Sequence, residues 1–312
     1  MMQMPLPLTR DLVLIGGGHT HALVLRMLGM RPIPGLRLTL INPWPTAAYS
    51  GMLPGFVAGH YAVPELGIDL VRLARFAGAR LVLGRATGID LAARTVTVEG
   101  RPPLRYDVAS LDIGISSEMP ALPGFADHAV PAKPLDAFAR RWAAFAAAPG
   151  AGRVAVIGGG IAGMELALAA AFRLGSRGKV TVIEAGRALS ATGAAARRAI
   201  HARAAELGVE VIERAPAASI GPEGVRLSDG RLVASDFTVG AASTRPQDWL
   251  AGTGLHLTGG FVTVGPTLQT SDPAVFATGD IAHMRDTPRP KAGVFAVRQA
   301  PVLLANLTAA LT

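Results

Sequence analysis

Short apolar runs alternate with glycine-rich turns along this chain, and the first such stretch is well defined. Residues 11–15 form an apolar run typical of a buried strand, and Gly16-Gly-Gly18 follows at once. A helix-like stretch covers 20–28, and a second apolar run covers 36–41 and ends at the polar Asn42. This order predicts a strand, a tight turn, a helix and a parallel strand, which we name the first motif.

The same order of residue types returns in the middle of the chain. The apolar run 153–157 precedes Gly158-Gly-Gly160, a helix-like stretch covers 161–174, and the run 179–183 ends at the polar Glu184. We name this the second motif. The first glycine and the terminal polar residue are 26 positions apart in both motifs. An internal repeat of this kind is more specific than either glycine turn alone.

The likeness continues downstream of each motif. Alternating patterns over 85–90 and 96–98 precede a strand that ends at Gly114, and a similar pattern over 225–227 precedes a strand that ends at Gly240. The sequence therefore predicts an α/β fold with two Rossmann-like, three-layer (ββα) dinucleotide-binding domains.

The second motif has each part of a dinucleotide fingerprint. Gly158 suits the tight turn, Gly160 lets backbone N–H groups approach a pyrophosphate, and Gly163 lets helix and strand pack closely. Glu184 ends the next strand, where a carboxylate accepts bonds from ribose hydroxyls and repels a 2′-phosphate. The pattern favours NADH over NADPH, although the nearby Arg187 weakens that preference.

The first motif departs from this pattern at two places. His21 stands at the third glycine position, so we expect it slightly off the strand, and the strand-end acid is replaced by Asn42. His19 occupies the crossing of the loop over a pyrophosphate and could donate a hydrogen bond there. The alternative is that both histidines only cap and pack the start of a helix.

Composition limits the chemistry. The chain has 312 residues, half of them apolar and 17% charged, and a formal charge of +8. The arginines are dispersed and no aromatic platform accompanies them, so nucleic acid is not an expected partner. Anionic cofactors, or a weak hold on an acidic membrane surface, explain the charge equally well. With no cysteine there are no disulfides, thiolate metal sites, iron–sulfur clusters or cysteine redox relays, and no metal site is predicted.

Targeting signals are not evident in the pattern. Residues 1–10 lack the apolar core of a signal peptide, and no run approaches the roughly 20 apolar residues needed to cross a bilayer. We therefore expect a cytoplasmic protein without a transmembrane segment.

These motifs resemble the pyridine nucleotide-disulfide oxidoreductase superfamily, in the branch without redox cysteines that includes type II NADH dehydrogenases. The nearest resemblance is to the FAD-dependent subgroup associated with selenophosphate synthetase. The segments that carry it are Gly16–His21, Tyr49–Tyr61, Ser110–Gly114, Pro131–Pro134, Phe276–Asp280 and Gly293–Gln299.

The resemblance implies an FAD domain formed by residues 1–125 together with 255–312, and an NAD(P) domain formed by 126–254. It implies that the loop from Tyr49 to Gly55 lies beside the flavin. It also implies that Asp280 binds the ribityl chain of FAD, although a generic buried strand with a capping aspartate has the same pattern.

The predicted site residues combine the motifs and the resemblance. Glu165, Lys133 and Lys291 are the predicted catalytic residues. For Glu165 the alternative is a carboxylate that only offsets the helix dipole, and for the lysines it is a solvated loop position. The predicted cofactor-binding residues are Gly16, Gly18, His19, Asn42, Tyr49, Gly51, Ala86, Gly114, Gly279, Asp280, Val294, Gly158, Gly160, Ile161, Gly163, Glu184 and Gly240.

The expected reaction is hydride transfer from C4 of NADH to N5 of the flavin, followed by reoxidation by a second substrate. Quinones, a small electron carrier, a selenium species and dioxygen all remain open as acceptors. Relatives continue into a C-terminal segment beyond the position of Thr312, so quinone access, oligomeric state and membrane attachment stay open. The alternative function is an FAD-binding subunit or sensor that turns over only with a partner.

Two further expectations concern the C-terminal helix. Its start at Pro290–Gln299 is placed to direct a helix N-terminus at the flavin, and Pro301 predicts a kink or a restart of the helix.

Overall fold

The computed structural model describes residues 9–150, 152–242 and 244–312. Residues 1–8, part of the segment in which no signal peptide was predicted, lie outside the described residues. The α-helices are α1 (His19–Met30), α2 (Leu53–Ala58), α3 (Leu70–Phe76), α4 (Phe125–His128), α5 (Leu135–Ala147), α6 (Ile161–Leu174), α7 (Ala194–Glu206) and α8 (Gly293–Leu311).

The strands are β1 (Arg10–Ile15), β2 (Leu36–Asn42), β3 (Thr46–Ala48), β4 (Gly67–Asp69), β5 (Arg80–Leu83), β6 (Ala86–Asp90), β7 (Thr95–Val98), β8 (Leu104–Arg105), β9 (Val108–Leu111), β10 (Ala129–Pro131), β11 (Arg153–Ile157), β12 (Lys179–Ile183), β13 (Glu210–Ile212), β14 (Ala217–Gly221), β15 (Gly224–Leu227), β16 (Leu232–Ala234), β17 (Phe237–Gly240), β18 (Leu257–Thr258), β19 (Phe261–Val264), β20 (Val275–Ala277) and β21 (Ala282–Met284).

The chain divides into two compact units. The first unit contains the described residues through Ala47, Gly67–Ile115 and Pro246–Thr312. Its parallel five-stranded sheet has the order β20-β9-β1-β2-β5, and β6, β7 and β8 form an antiparallel sheet beside it. The strands of the parallel sheet are apolar on both faces, as parallel strands covered by helices require.

The second unit contains Ala48–Leu66 and Ser116–Arg245. Its parallel sheet has the order β10-β17-β11-β12-β13, with β14, β15 and β16 as the antiparallel sheet. The arrangement around the central strand is the same in both units. In the first unit β2 and β9 flank β1, and in the second unit β12 and β17 flank β11. The predicted α/β class with two Rossmann-type units is confirmed.

The segment 48–66 groups differently from the predicted boundaries, which placed it in the first domain. Its helix α2 packs against α5 and α6, and Leu53, Phe56 and Val57 join the core of the second unit. The indole N–H of Trp142 in α5 also donates to the backbone oxygen of Val57 at 3.1 Å. The burial of these apolar side chains explains why the segment groups with the second unit. The local pattern of a glycine- and proline-rich segment does not indicate this grouping.

Helix α8 continues past the proline at which a kink or a restart was predicted. Pro301 lies inside one continuous helix, so the expected restart does not occur. The ring lies on the exposed side, and the buried positions Ala300, Leu303 and Leu307 continue past it against the first-unit core. By length and composition alone, α8 is also apolar enough to cross a membrane, with mean hydropathy 1.4 over its most apolar window and 28% of that window buried. One such helix is weak evidence of a membrane span, because core helices of soluble proteins share these properties.

Candidate functional site

The first glycine turn is fixed by backbone contacts and by one amide side chain. Gly16 has φ of +89°, and a Cβ there would lie 2.3 Å from the backbone oxygen of Asp112. The N–H of Gly17 donates to Oδ1 of Asn42 at 2.9 Å, and Nδ2 of Asn42 donates to the backbone oxygen of Trp44 at 2.7 Å. The strand-end amide therefore holds the turn from the side of β2.

The second glycine turn uses the same arrangement with a carboxylate. Gly158 has φ of +114°, and the N–H of Gly159 donates to Oε2 of Glu184 at 2.7 Å. The other oxygen, Oε1, accepts from the N–H of Gly186 at 2.8 Å. Arg187 is exposed next to this pair. Glu184 thus combines a role in the turn with a negative charge at the end of β12.

The third fingerprint position separates the motifs. A Cβ at Gly163 would lie 1.9 Å from the backbone oxygen of Gly158, so only glycine allows α6 to approach the turn this closely. In the first motif the imidazole of His21 occupies the corresponding position. Its Nδ1 lies 2.7 Å from the backbone oxygen of Gly16, and its Nε2 lies 2.8 Å from Oγ of Ser110.

His21 is fully buried, and this burial lowers its pKa to about 4. Because a carbonyl oxygen only accepts, Nδ1 of the neutral ring donates to Gly16, and the hydroxyl of Ser110 donates to Nε2. The imidazole bridges the turn and β9 rather than standing off the strand. The packing alternative considered from the sequence describes His21 correctly.

Asp112 is a buried residue of this site for which the sequence assigned no role. It directly follows β9, its side chain is 3% exposed, and Oδ2 accepts the N–H of His21 at 3.0 Å. Burial, together with the charge of Asp280, raises its pKa to about 7 against the opposing N–H bonds from His21 and Thr20. The signal available was an aspartate in an otherwise apolar strand end.

The turn after β20 brings the C-terminal part of the chain to the same place. Gly279 has φ of +68°, and its N–H donates to Oε1 of Gln299 at 2.8 Å. A Cβ at Gly279 would lie 2.4 Å from Oδ1 of Asp112, and Oγ1 of Thr20 in α1 donates to the backbone oxygen of Ala296 at 2.8 Å. Asp280 is therefore positioned by both the first motif and α8.

Lys291 lies beside this turn. Its ammonium donates to the backbone oxygen of Ala282 at 2.6 Å and lies 4.1 Å from the ring centroid of Phe261. Burial lowers its pKa to about 8, while the charge of Asp280 opposes that shift. Lys291 is a half-buried, anchored residue rather than a solvated loop lysine.

The start of α6 in the second unit is open to solvent. Gly160 and Ile161 are exposed, and a Cβ at Gly160 would meet no atom within 4 Å. Glu165, one turn along, is exposed as a residue, yet the protein around its carboxyl group displaces water and raises its pKa. These positions present a helix N-terminus to an incoming anionic ligand.

Lys133 belongs to the second unit, next to Gly240. The backbone N–H of Lys133 donates to Oγ of Ser117 at 2.9 Å, and that hydroxyl donates to the backbone oxygen of Gly240 at 3.0 Å. The structure thus ties Lys133 to the end of β17, the strand that flanks the second glycine turn.

The remaining predicted residues are distributed between the units. Ala86 begins β6 in the first unit, and Val294, in the first turn of α8, is 51% exposed. Gly114 has φ of +63°, and its backbone oxygen accepts from Nε2 of Gln247 at 3.2 Å. Strand β9 ends at Leu111, three residues before the predicted end at Gly114.

Three further predicted residues lie beside the glycine turn or in the reassigned segment. His19 is the first residue of α1. Tyr49 and Gly51 lie in the segment that joins the second unit, with Cζ of the tyrosine ring 3.1 Å from a Cβ built at Gly51.

Most of the predicted residues lie in two clusters, one in each unit. The first-unit cluster contains Gly16, Gly18, His19, Asn42, Gly279, Asp280 and Lys291, and the second-unit cluster contains Gly158, Gly160, Ile161, Gly163, Glu165, Glu184 and Gly240. No group of three or more histidine and acidic side chains is placed to hold a metal ion within the described ranges.

Comparison with known proteins decides the family. The model of the pyridine nucleotide-disulphide oxidoreductase family matches residues 10–300. This chain belongs to that family. The predicted superfamily, its oxidoreductase class and the use of FAD and NAD(H) are thereby confirmed. The narrower likeness to the selenophosphate-synthetase subgroup stays a prediction.

Several members of the family are similar over most of this chain. A probable ferredoxin reductase of Castellaniella defragrans is 28% identical over 93% of this chain and 71% of its own length. The ferredoxin–NAD(+) reductase component of a biphenyl dioxygenase system of Paraburkholderia xenovorans is 31% identical, over 87% of this chain and 67% of its own. The crystal structure of a ferredoxin reductase from Rhodopseudomonas palustris superposes with TM-score 0.84 at 23% identity, covering 96% of this chain and 76% of that one.

Proposed function

We propose that the first motif holds FAD, that the second motif holds NADH, and that the electrons pass to a small electron-carrier protein. The coarser function, an NADH-driven flavoprotein oxidoreductase, is shown by the family and its members. The observation that carries the assignment is the repeat itself, in which two helix N-termini each adjoin a glycine turn and a polar strand end.

The residues of the first unit fit FAD by the chemistry of their donors and acceptors. The start of α1 supplies N–H groups and a positive dipole end for a pyrophosphate. Asn42 offers an uncharged polar group at the end of β2, and Asp280 offers a carboxylate for a polyol after the close approach at Gly279. When bound, the flavin supplies two-electron chemistry with a nicotinamide. The residues of the first unit would bind and orient the flavin.

The second unit favours the dinucleotide without a 2′-phosphate. Glu184 places a carboxylate at the end of β12, where ribose hydroxyls donate and a phosphate is repelled. The open space beside Gly160 leaves room for the pyrophosphate at the start of α6. We propose that Glu165 faces the nicotinamide from the first turn of α6, and that Lys133 and Lys291 act electrostatically near the reacting rings.

A small electron carrier is the acceptor that the relatives support. Two of the most similar sequences and one similar structure are named as ferredoxin reductases. A quinone is the alternative acceptor. A cytoplasmic location stays a prediction.

The test is anaerobic reduction of the purified full chain. NADH should bleach the flavin absorbance within seconds, and NADPH should do so more slowly. Release of FMN, or no flavin after reconstitution, would contradict the FAD assignment. Asp280→Ala should lose flavin, because each charge-assisted hydrogen bond contributes ~1.5–3 kcal/mol.

The acceptor is tested in a second step. Reoxidation of the reduced protein should be fastest with a ferredoxin-type carrier in a panel that also contains a soluble quinone and dioxygen. Equal rates with the carrier and with dioxygen would overturn the acceptor proposal while leaving the NADH reaction intact.

A further inference from the structure

The carboxyl group of Asp112 occupies the space beside two glycines of the first-unit site. A Cβ at Gly18 would lie 2.3 Å from its Cγ, and one at Gly279 would lie 2.4 Å from its Oδ1. Its backbone is held as well, since its oxygen accepts the N–H of Gly18 at 3.2 Å. These glycines therefore leave room for a side chain of the protein itself.

The second unit has no acid at the corresponding place. The N–H of Asp112 donates to the oxygen of Ile15 at 2.8 Å, and the N–H of Ala241 donates to that of Ile157 at the same distance. Ala241 is thus the counterpart of Asp112. A methyl group replaces the carboxyl group, and the space beside Gly160 is open.

The charges around Asp112 are unfavourable to a second anion. Its carboxyl group accepts hydrogen bonds from the N–H groups of Thr20 and His21 at the start of α1. A pyrophosphate would require the same helix end. Asp280 adds a second carboxylate from the neighbouring turn. Among the titratable groups of the packed elements, Asp280 after β20 is the one whose charge raises the pKa of Asp112. The others near the starts of α1 and α8 are His19 and His21 on α1, Lys291 before α8 and the exposed Arg298 on α8.

We propose that Asp112 couples FAD binding to the uptake of one proton, so that the cofactor binds to the protein in which this carboxyl group is neutral. The inference rests on the assignment of FAD to the first motif. A buried aspartate beside the pyrophosphate position repels the cofactor when ionised and only donates or accepts a hydrogen bond when protonated.

The direction of the pH dependence follows by linkage. The pKa of Asp112 is raised from 3.8 to about 7, chiefly by burial. A nearby pyrophosphate raises it further, so above pH 7 the complex binds more protons than the free protein. The Kd for FAD should be constant below about pH 6 and should rise by up to about tenfold per pH unit above about pH 7.

The experiment measures FAD release from the full chain. Holoprotein is diluted and equilibrated between pH 5.5 and pH 9, and free FAD is measured by its fluorescence. Asp112→Asn keeps the shape and removes the titration, so its Kd should stay flat between pH 5.5 and pH 8 and should be lower than that of the wild type at pH 8. Asp286→Asn is the matched control, because it makes the same change at an exposed carboxylate of the same unit, and it should retain the wild-type slope.

Calorimetry of the wild type provides a readout that needs no variant. FAD binding at pH 8, measured in buffers of different ionisation enthalpy, should take up about one proton. No proton uptake, or an equal pH slope in wild type and Asp112→Asn, would overturn the inference. If the wild type binds no FAD at any pH, the proposed function fails instead, so the two failures are distinguishable.

Discussion

The two glycine turns share one backbone plan and differ in what packs against it. In the second motif the helix touches the turn directly, with Gly163 against the backbone of Gly158. In the first motif His21 fills that place and is held by Ser110. The second turn faces open space at Gly160. The same backbone is therefore stabilised once by close contact and once by a buried polar network.

This difference predicts which substitutions each site tolerates. A site built on close contact fails when a single methyl group is added, whereas a site built on a polar network depends on the protonation of its members. Exchanging residues between the motifs tests both statements.

The largest effect is expected for Gly163→Ala. Its Cβ would lie 1.9 Å from a backbone oxygen that cannot move without opening the turn. We expect a loss on the order of 4 kcal/mol in the free energy of unfolding, measured with urea, and no detectable NADH binding. The control is Gly160→Ala, where a Cβ meets nothing within 4 Å; it should keep the stability and weaken only NADH binding. Equal stability losses in both variants would contradict the statement that close packing against the turn depends on Gly163.

The reverse exchange, His21→Gly, should cost roughly 2 kcal/mol, because it removes two buried hydrogen bonds and leaves a cavity. The pKa of His21 is lowered from 6.5 to about 4, so the unfolded chain binds more protons between these values. The stability that the wild type has over the variant should therefore be full above pH 6.5 and should decline as the pH falls toward 4.

The measurement is urea unfolding of both proteins at pH 4.5, 5.5 and 7. Taking the difference between them removes the opposite contribution of Asp112, which both proteins carry. A stability difference that is independent of pH would show that His21 is not kept neutral by its surroundings.

The strand-end residues provide the third exchange. Glu184→Gln makes the second motif resemble the first, since an amide oxygen can still accept from Gly159 as Asn42 does from Gly17. The ratio of kcat/KM for NADH over NADPH should fall about tenfold, which corresponds to ~1.4 kcal/mol. An unchanged ratio with unchanged stability would indicate that the carboxylate serves the turn alone.

The smallest effect is expected for Ser110→Ala, which removes the hydroxyl group from which Nε2 of His21 accepts. The smaller side chain adds no atom to this buried position, so Nε2 loses its donor without overpacking. We expect a loss of about 1 kcal/mol in thermal or urea unfolding, without a change in NADH binding. Val239→Thr, a change at the corresponding position of the second unit, is the control. A loss of stability in the Ser110 variant greater than the loss in His21→Gly would contradict the ranking.

Much of the architecture could be predicted from the sequence because local patterns determine it. The strands and helices of both motifs follow apolar periodicity and glycine turns, and α6 has the predicted limits Ile161–Leu174. The grouping of the segment 48–66 with the second unit could not be predicted, because it depends on long-range apolar packing that the local pattern does not indicate.

The chemistry of the first site was only partly predictable. Gly279 and Asp280 follow a recognisable strand, but Asp112 becomes significant only when α1, β9 and the turn after β20 meet around it. The role of His21 likewise depends on Ser110, which is remote in sequence. Burial and remote partners set the protonation states, and neither is visible in a local pattern.

The order of strands in the first unit also has a consequence for biosynthesis. Strand β20 is an edge of that sheet and pairs with β9. The parallel sheet of the first unit therefore stays incomplete until residues 275–277 have left the ribosome. The second unit closes earlier, because its last strand β17 ends at Gly240. We therefore expect nascent chains halted before residue 275 to carry a protease-resistant second unit and a first unit unable to retain flavin.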